Sequence, residues 1–211
     1  METESIVKRS PFFKAALAHD FKEALERKVR LPDCSPDTFA RYLEYRKYVG
    51  LDGFDGVYGK NNVKLYILAD YLRDIRVCND LIDTFFLGLG DDDVPESEVV
   101  TLIYESTSST SPLRCFLLDR FLEDIESSGS QRFPSSQGGW IWVSADDSLR
   151  QKWLEDAKDS LPFEFIFDVA CARLSPPGTK RPNAEERGQG YYHQHDTQAP
   201  KAECCECSRS E

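Results

Sequence analysis

The chain has 211 residues, a formal charge of −11 and 40% hydrophobic residues, including 13 Phe, 9 Tyr and 3 Trp. That apolar content can fill a real core and excludes a chain disordered throughout, while the negative balance disfavours phosphate backbones, so no nucleic-acid partner is expected. No apolar run approaches the ~18 residues of a membrane span and no basic-then-apolar leader opens the chain, so no membrane partner is expected either.

Ser10-Pro11 is a helix-start signal, a capping hydroxyl followed by a proline suited to the first helical position. Phe13, Leu17 and Phe21 then recur every four residues and predict one apolar stripe. Residues 28–31, Lys-Val-Arg-Leu, alternate polar and apolar and predict a short strand burying Val29 and Leu31. Ser35-Pro36-Asp37 repeats the helix-start signal, with Phe39, Tyr42 and Leu43 on the inward face. Residues 50–59 hold four glycines and predict a loop. Asn62 is the expected cap of a helix carrying Leu65, Leu68, Ala69 and Leu72 inward. After a short break, Cys78, Leu81, Ile82 and Phe85 form the stripe of the next helix, so the two make a helical hairpin.

An acidic stretch, 88–95, breaks the pattern. Beyond it Val99, Val100 and Ile103 predict one short helix. Ser111-Pro112 starts another, with Leu113, Phe116, Leu117 and Phe121 on one face. Residues 127–139 are rich in Ser and Gly and read as a flexible linker. Trp140-Ile-Trp-Val fits either a strand or a packed extended segment; helices are expected over 146–158 and 162–174. From Ser175 onward Pro, Gly, Lys, Glu and Gln dominate, and a disordered tail is expected.

The pieces Ser10-Pro-Phe-Phe-Lys, Val29-Arg-Leu-Pro, Val63-Lys-Leu-Tyr-Ile-Leu-Ala-Asp-Tyr-Leu, Val77-Cys-Asn-Asp-Leu-Ile-Asp, Val100-Thr-Leu-Ile-Tyr-Glu and Ser111-Pro-Leu-Arg-Cys, in this order, resemble the fungal branch of the BTB/POZ domain family. The resemblance covers residues 6–86 and continues more weakly through Leu122. It implies an α+β, predominantly helical fold: a BTB/POZ-like domain over 1–88 lacking the hairpin and helix that open the family's domain, with one remnant strand. A helical extension (89–126), a linker (127–139), a short helical C-terminal region (140–174) and the tail (175–211) would follow. A sequence departure lies at Tyr45-Arg-Lys-Tyr-Val-Gly50, where the family ends this helix with apolar residues. The implied function is protein–protein interaction, with self-association or a cullin as partner. Its specific form is a substrate adaptor for a cullin-type ubiquitin ligase, docking through the helices of residues 35–48 and 63–86. Tyr192-His193-Gln194-His195 resembles a Tyr-His-x-His tag found near the ends of such proteins. With the opening hairpin missing, either Phe12, Phe13 or Leu17 is expected to be partly exposed, or Trp140-Ile-Trp-Val to pair with residues 28–31 and cover them.

Catalysis is not expected. Cys34 lies in the turn Asp33-Cys-Ser-Pro and His19 is the one histidine outside the tail, but nothing in their spacing pairs nucleophile with base. Cys78, Cys115 and Cys171 read as core residues. The seven cysteines are odd in number and scattered, which suits a reducing compartment, cytoplasm or nucleus, better than a disulfide framework. No cofactor is expected. The one metal alternative is a zinc site from His193, His195, Cys204 and Cys207 on a helical carrier, since zinc takes four imidazole and thiolate ligands; against it stands a plain solvated tail. A further alternative is an incomplete gene product with little activity of its own. Asp91-Asp-Asp93, with Glu96 and Glu98, lacks the spaced ligands of a calcium loop and reads as a solvated acidic linker.

Overall fold

The structure is a computed structural model that describes residues 10–18, 21–31, 33–45, 59–87, 95–127, 131–134, 140–143, 161–173 and 184–194. These residues are predominantly helical. In chain order the elements are α1 (Pro11–Ala16), α2 (Lys22–Glu26), α3 (Pro36–Tyr45), α4 (Lys60–Tyr71), α5 (Ile75–Leu87), α6 (Ser97–Ser106), α7 (Pro112–Ser127), β1 (Gln131–Pro134), β2 (Trp140–Val143), α8 (Phe163–Arg173), α9 (Ala184–Arg187) and a 3₁₀ turn, Gln189–Tyr192.

The pair α4–α5 is the centre of the molecule. Three residues, 72–74, join the helices, with Arg73 in the left-handed region at φ 53°. Asp74 secures the turn: its carboxylate accepts from Val77 N at 3.4 Å and from the Tyr42 hydroxyl at 2.7 Å, tying α3 to the start of α5. Ser10 caps α1 by accepting from Phe13 N, and its hydroxyl donates to Leu72 O at 2.6 Å, so α1 is hung on the same turn. Tyr42, Val63, Leu65, Tyr66, Leu72, Leu81, Ile82 and Phe85 form the core, continued by Val100 and Ile103 of α6 and Leu113, Phe116 and Phe121 of α7. Helix α8 joins through Phe165, whose ring meets Tyr104 and Phe121 edge-on at 5.3 and 5.0 Å.

Buried Arg114 locks the α6–α7 corner. Its guanidinium donates to Thr107 Oγ1 at 3.1 Å and to the carbonyl oxygens of Tyr104 and Thr107, satisfying acceptors that the end of α6 leaves over, and it lies 4.5 Å over the Tyr104 ring. Glu164 of α8 pairs with the same guanidinium at 3.0 Å.

Several expectations are corrected. Residues 28–31 form no strand; Val29 and Leu31 are half-buried and pack against helices. Trp140–Val143 is a strand, but its antiparallel partner is Gln131–Pro134, from the expected linker, with Phe133 opposite Ile141. Alternation over four residues cannot choose between an open edge and a helix surface, and the nearer partner in the chain carries the smaller closure entropy. The Phe13–Leu17–Phe21 stripe breaks because α1 ends at Ala16, leaving Phe21 57% exposed. Phe13 is buried by the chain's own helices, while Phe12, half-buried, rests on Tyr71 at 5.1 Å. Asn62 lies inside α4 rather than capping it, and Cys171 is exposed rather than core.

The largest correction concerns the tail. Residues 184–194 are packed against α5 and α7, with Ala184 and Tyr192 buried. A mostly polar composition misses this because a few well-placed groups, rather than average hydrophobicity, hold the segment. The glycine-rich residues 51–58, the helix expected over 146–158, and residues 195–211 lie outside the described residues.

Candidate functional site

Two surfaces stand out. The first is a cleft of about 530 Å³ where the start of α3 faces α4 and α6. Leu31, Ile67, Leu68, Tyr71 and Leu102 line it with apolar surface; Asp33, Thr38, Lys64, Asp70 and Glu105 supply polar groups. Cys34 sits on its wall. Its Sγ donates to Ser35 O at 3.4 Å, and burial pushes the thiol above its ordinary value. His19 lies outside the described residues. A second cleft, about 730 Å³, lies between α1, α2 and the end of α4, bordered by Phe12, Phe21, Val29 and Tyr71.

The second surface is the groove that receives residues 187–194. Asp119 on α7 is 1% exposed and accepts from the Tyr192 hydroxyl at 2.8 Å and from Arg187 Nε at 3.1 Å. Burial first, and the Asp119 carboxylate second, push the Tyr192 phenol well above the usual tyrosine range, so the hydroxyl remains a donor. The Tyr192 ring meets Phe116 edge-on at 5.1 Å, and the Arg187 guanidinium lies 4.3 Å over the Tyr191 ring. His193 Nε2 is 2.7 Å from Asp83 Oδ1, with its side chain only 6% exposed. The side-chain amide of Asn79 grips the backbone of Gln194 twice, accepting from its N–H at 2.8 Å and donating to its carbonyl oxygen at 3.0 Å. The Gln194 amide group then donates to Asp70 Oδ1 at 2.8 Å and to the Tyr66 hydroxyl at 3.3 Å.

Of the four residues expected to hold zinc, His193 is engaged with Asp83, while His195, Cys204 and Cys207 lie outside the described residues. Among the described residues no group of three or more His, Cys, Asp or Glu is placed to hold a metal ion. No described helix is long and apolar enough to cross a membrane.

Asn79, Asp83 and Asp119 were not singled out by the sequence, because a polar residue on a helix reads as solvated until its partner is known. One signal existed: Tyr191 and Tyr192, two adjacent aromatics inside an otherwise polar tail, offer the large side chains a docking segment needs.

No protein-family model, no curated protein and no solved structure matches the chain.

Proposed function

We propose that this chain is a protein–protein interaction module rather than an enzyme, and that its specific role is that of a substrate adaptor docking on a cullin-type ubiquitin ligase. The observation that carries the reading is the cleft across α3, α4 and α6. Its apolar floor of Leu31, Ile67, Leu68 and Leu102, ringed by Asp33, Thr38, Lys64 and Glu105, has the apolar centre and polar rim of a protein interface. It opens on α3 and α4, the helices through which the BTB/POZ resemblance implies partner docking.

The test is binding of the full chain to the purified N-terminal domain of a cullin, by titration calorimetry. Saturable binding is expected, weakened by roughly tenfold or more in Thr38→Arg, which sets a bulky charge against the docked surface and obstructs the cleft. Absence of binding removes the cullin reading. Binding that Thr38→Arg leaves unchanged removes the cleft as its site.

A further inference from the structure

The contacts between residues 192–194 and the helical body have the form of peptide recognition. We propose that the groove formed by α4, α5 and α7 is a binding site for a linear peptide presenting an aromatic hydroxyl, an imidazole and a carboxamide in the order Tyr-His-Gln, and that the chain's own residues 192–194 are its resident ligand. This goes beyond the cullin reading, which concerns the neighbouring α3–α4–α6 cleft; the two sites share Asp70.

The division of labour carries the inference. One side chain, Asn79, reads backbone only: it accepts the N–H and donates to the C=O of one residue, at 2.8 and 3.0 Å. Such a pairing replaces the neighbour a strand would have, and it holds any extended peptide irrespective of its side chains. Three further groups read side chains in sequence. Asp119 takes the tyrosine hydroxyl, Asp83 the imidazole and Asp70 the carboxamide, at 2.7 to 2.8 Å. The readers are themselves held by the body. Asp119 and Tyr66 are buried and Asn79 is 7% exposed, whereas Asp70 and Asp83 are half-buried at the rim of the groove, and all sit on long helices rather than loops. Specificity of this kind comes from buried polar groups that an unmatched peptide would leave unpaired.

The ligand reaches the site by a tether, since residues 174–183 separate α8 from α9. A tethered ligand has an effective concentration on the order of millimolar. The native chain therefore keeps its groove filled, and a peptide from elsewhere enters only where it outcompetes or replaces the resident.

The test uses the full chain with Tyr192→Ala, His193→Ala and Gln194→Ala combined, which empties the side-chain sites and leaves a resident segment that added peptide can displace, and a fluorescent synthetic peptide of residues 187–196 followed by anisotropy. The emptied chain should bind the peptide saturably and gain thermal stability from it. The native chain should bind it at least tenfold more weakly, because its site is occupied. Adding Asn79→Ala to the emptied chain should weaken binding by roughly tenfold or more through loss of two hydrogen bonds. An emptied chain that folds yet binds no peptide at ~1 mM, the effective concentration the tether supplies, overturns the proposal. So does binding that Asn79→Ala leaves unaltered. Should the triple variant not fold, a protease site placed within residues 176–181 of the otherwise native chain gives the same answer. After cleavage the labelled peptide should exchange into the groove. A cut chain that unfolds, or that neither releases its own segment nor takes up the labelled one, shows that the segment is part of the core and not a ligand.

Discussion

At the scale of single residues, the described structure concentrates its cost in carboxylates. Asp80 on α5 is the clearest case. Burial pushes its pKa up, outweighing the opposing attraction of Arg76, whose Nε is 4.0 Å away. A carboxyl raised in the folded state binds a proton more readily there than in the unfolded chain. Its contribution to stability is therefore complete below the ordinary carboxylate value of about 3.9 and is lost as pH rises through the raised folded value. At neutral pH the ionised group is a burden. Asp80→Asn should raise the thermal midpoint at pH 7, by up to about 0.5 kcal/mol since the side chain is partly exposed, and the gain should vanish at pH 3. Paired melting curves at the two pH values check this; a gain that persists at pH 3 would assign the effect to packing instead. Asp119 and Asp74 are each buried with hydrogen-bond donors from other elements, Tyr192 and Arg187 on the first and Tyr42 on the second.

At the scale of elements, caps and turns decide how the helices meet. Ser10 is the economical example: one hydroxyl accepts from Phe13 N and donates to Leu72 O, starting α1 and fastening it to the α4–α5 turn. Ser10→Ala should cost about 1–2 kcal/mol in a urea denaturation, with Ser10→Thr recovering part of it; a loss within ~0.3 kcal/mol would mean that α1 contributes nothing to the cooperative unit. This element was legible in the sequence because capping is local: Ser10-Pro11, Ser35-Pro36 and Ser111-Pro112 each mark a helix start that α1, α3 and α7 bear out. The inward faces of α4 to α7 were legible for the same reason, since their apolar spacing is a property of one helix at a time. The strand expected over 28–31 failed because a strand is defined by a partner, and pairing is set by chain proximity and competition that a four-residue pattern does not contain. The site fared worse still. Asn79, Asp83 and Asp119 acquire their role in the groove from residues 68 to 115 positions further along the chain.

At the scale of the whole molecule, the described residues leave large apolar side chains exposed near α2. Phe21, just before α2, is 57% exposed and lines the 730 Å³ cleft together with Tyr71, 53% exposed, and Leu25 on α2 is 74% exposed. Scattered apolar residues need no explanation, but Phe21 and Tyr71 on one cleft, with Leu25 exposed on the helix beside it, favour association. Phe21→Ser with Leu25→Ser should lower concentration-dependent self-association in sedimentation velocity while changing folding stability by no more than about 0.5 kcal/mol, as for other exposed positions. Unaltered association would place any self-contact elsewhere, and a large loss of stability would show that these side chains belong to the core.

The shared grip of Asp119 on Arg187 and Tyr192 also bears on biosynthesis. A ribosome makes Asp119 73 residues before the tyrosine that donates to it. Until that tyrosine emerges, the nascent chain carries a buried carboxylate without this donor, beside a bare Phe116 ring. Any product cut short before position 184 keeps that defect permanently, an acidic slot flanked by an aromatic wall.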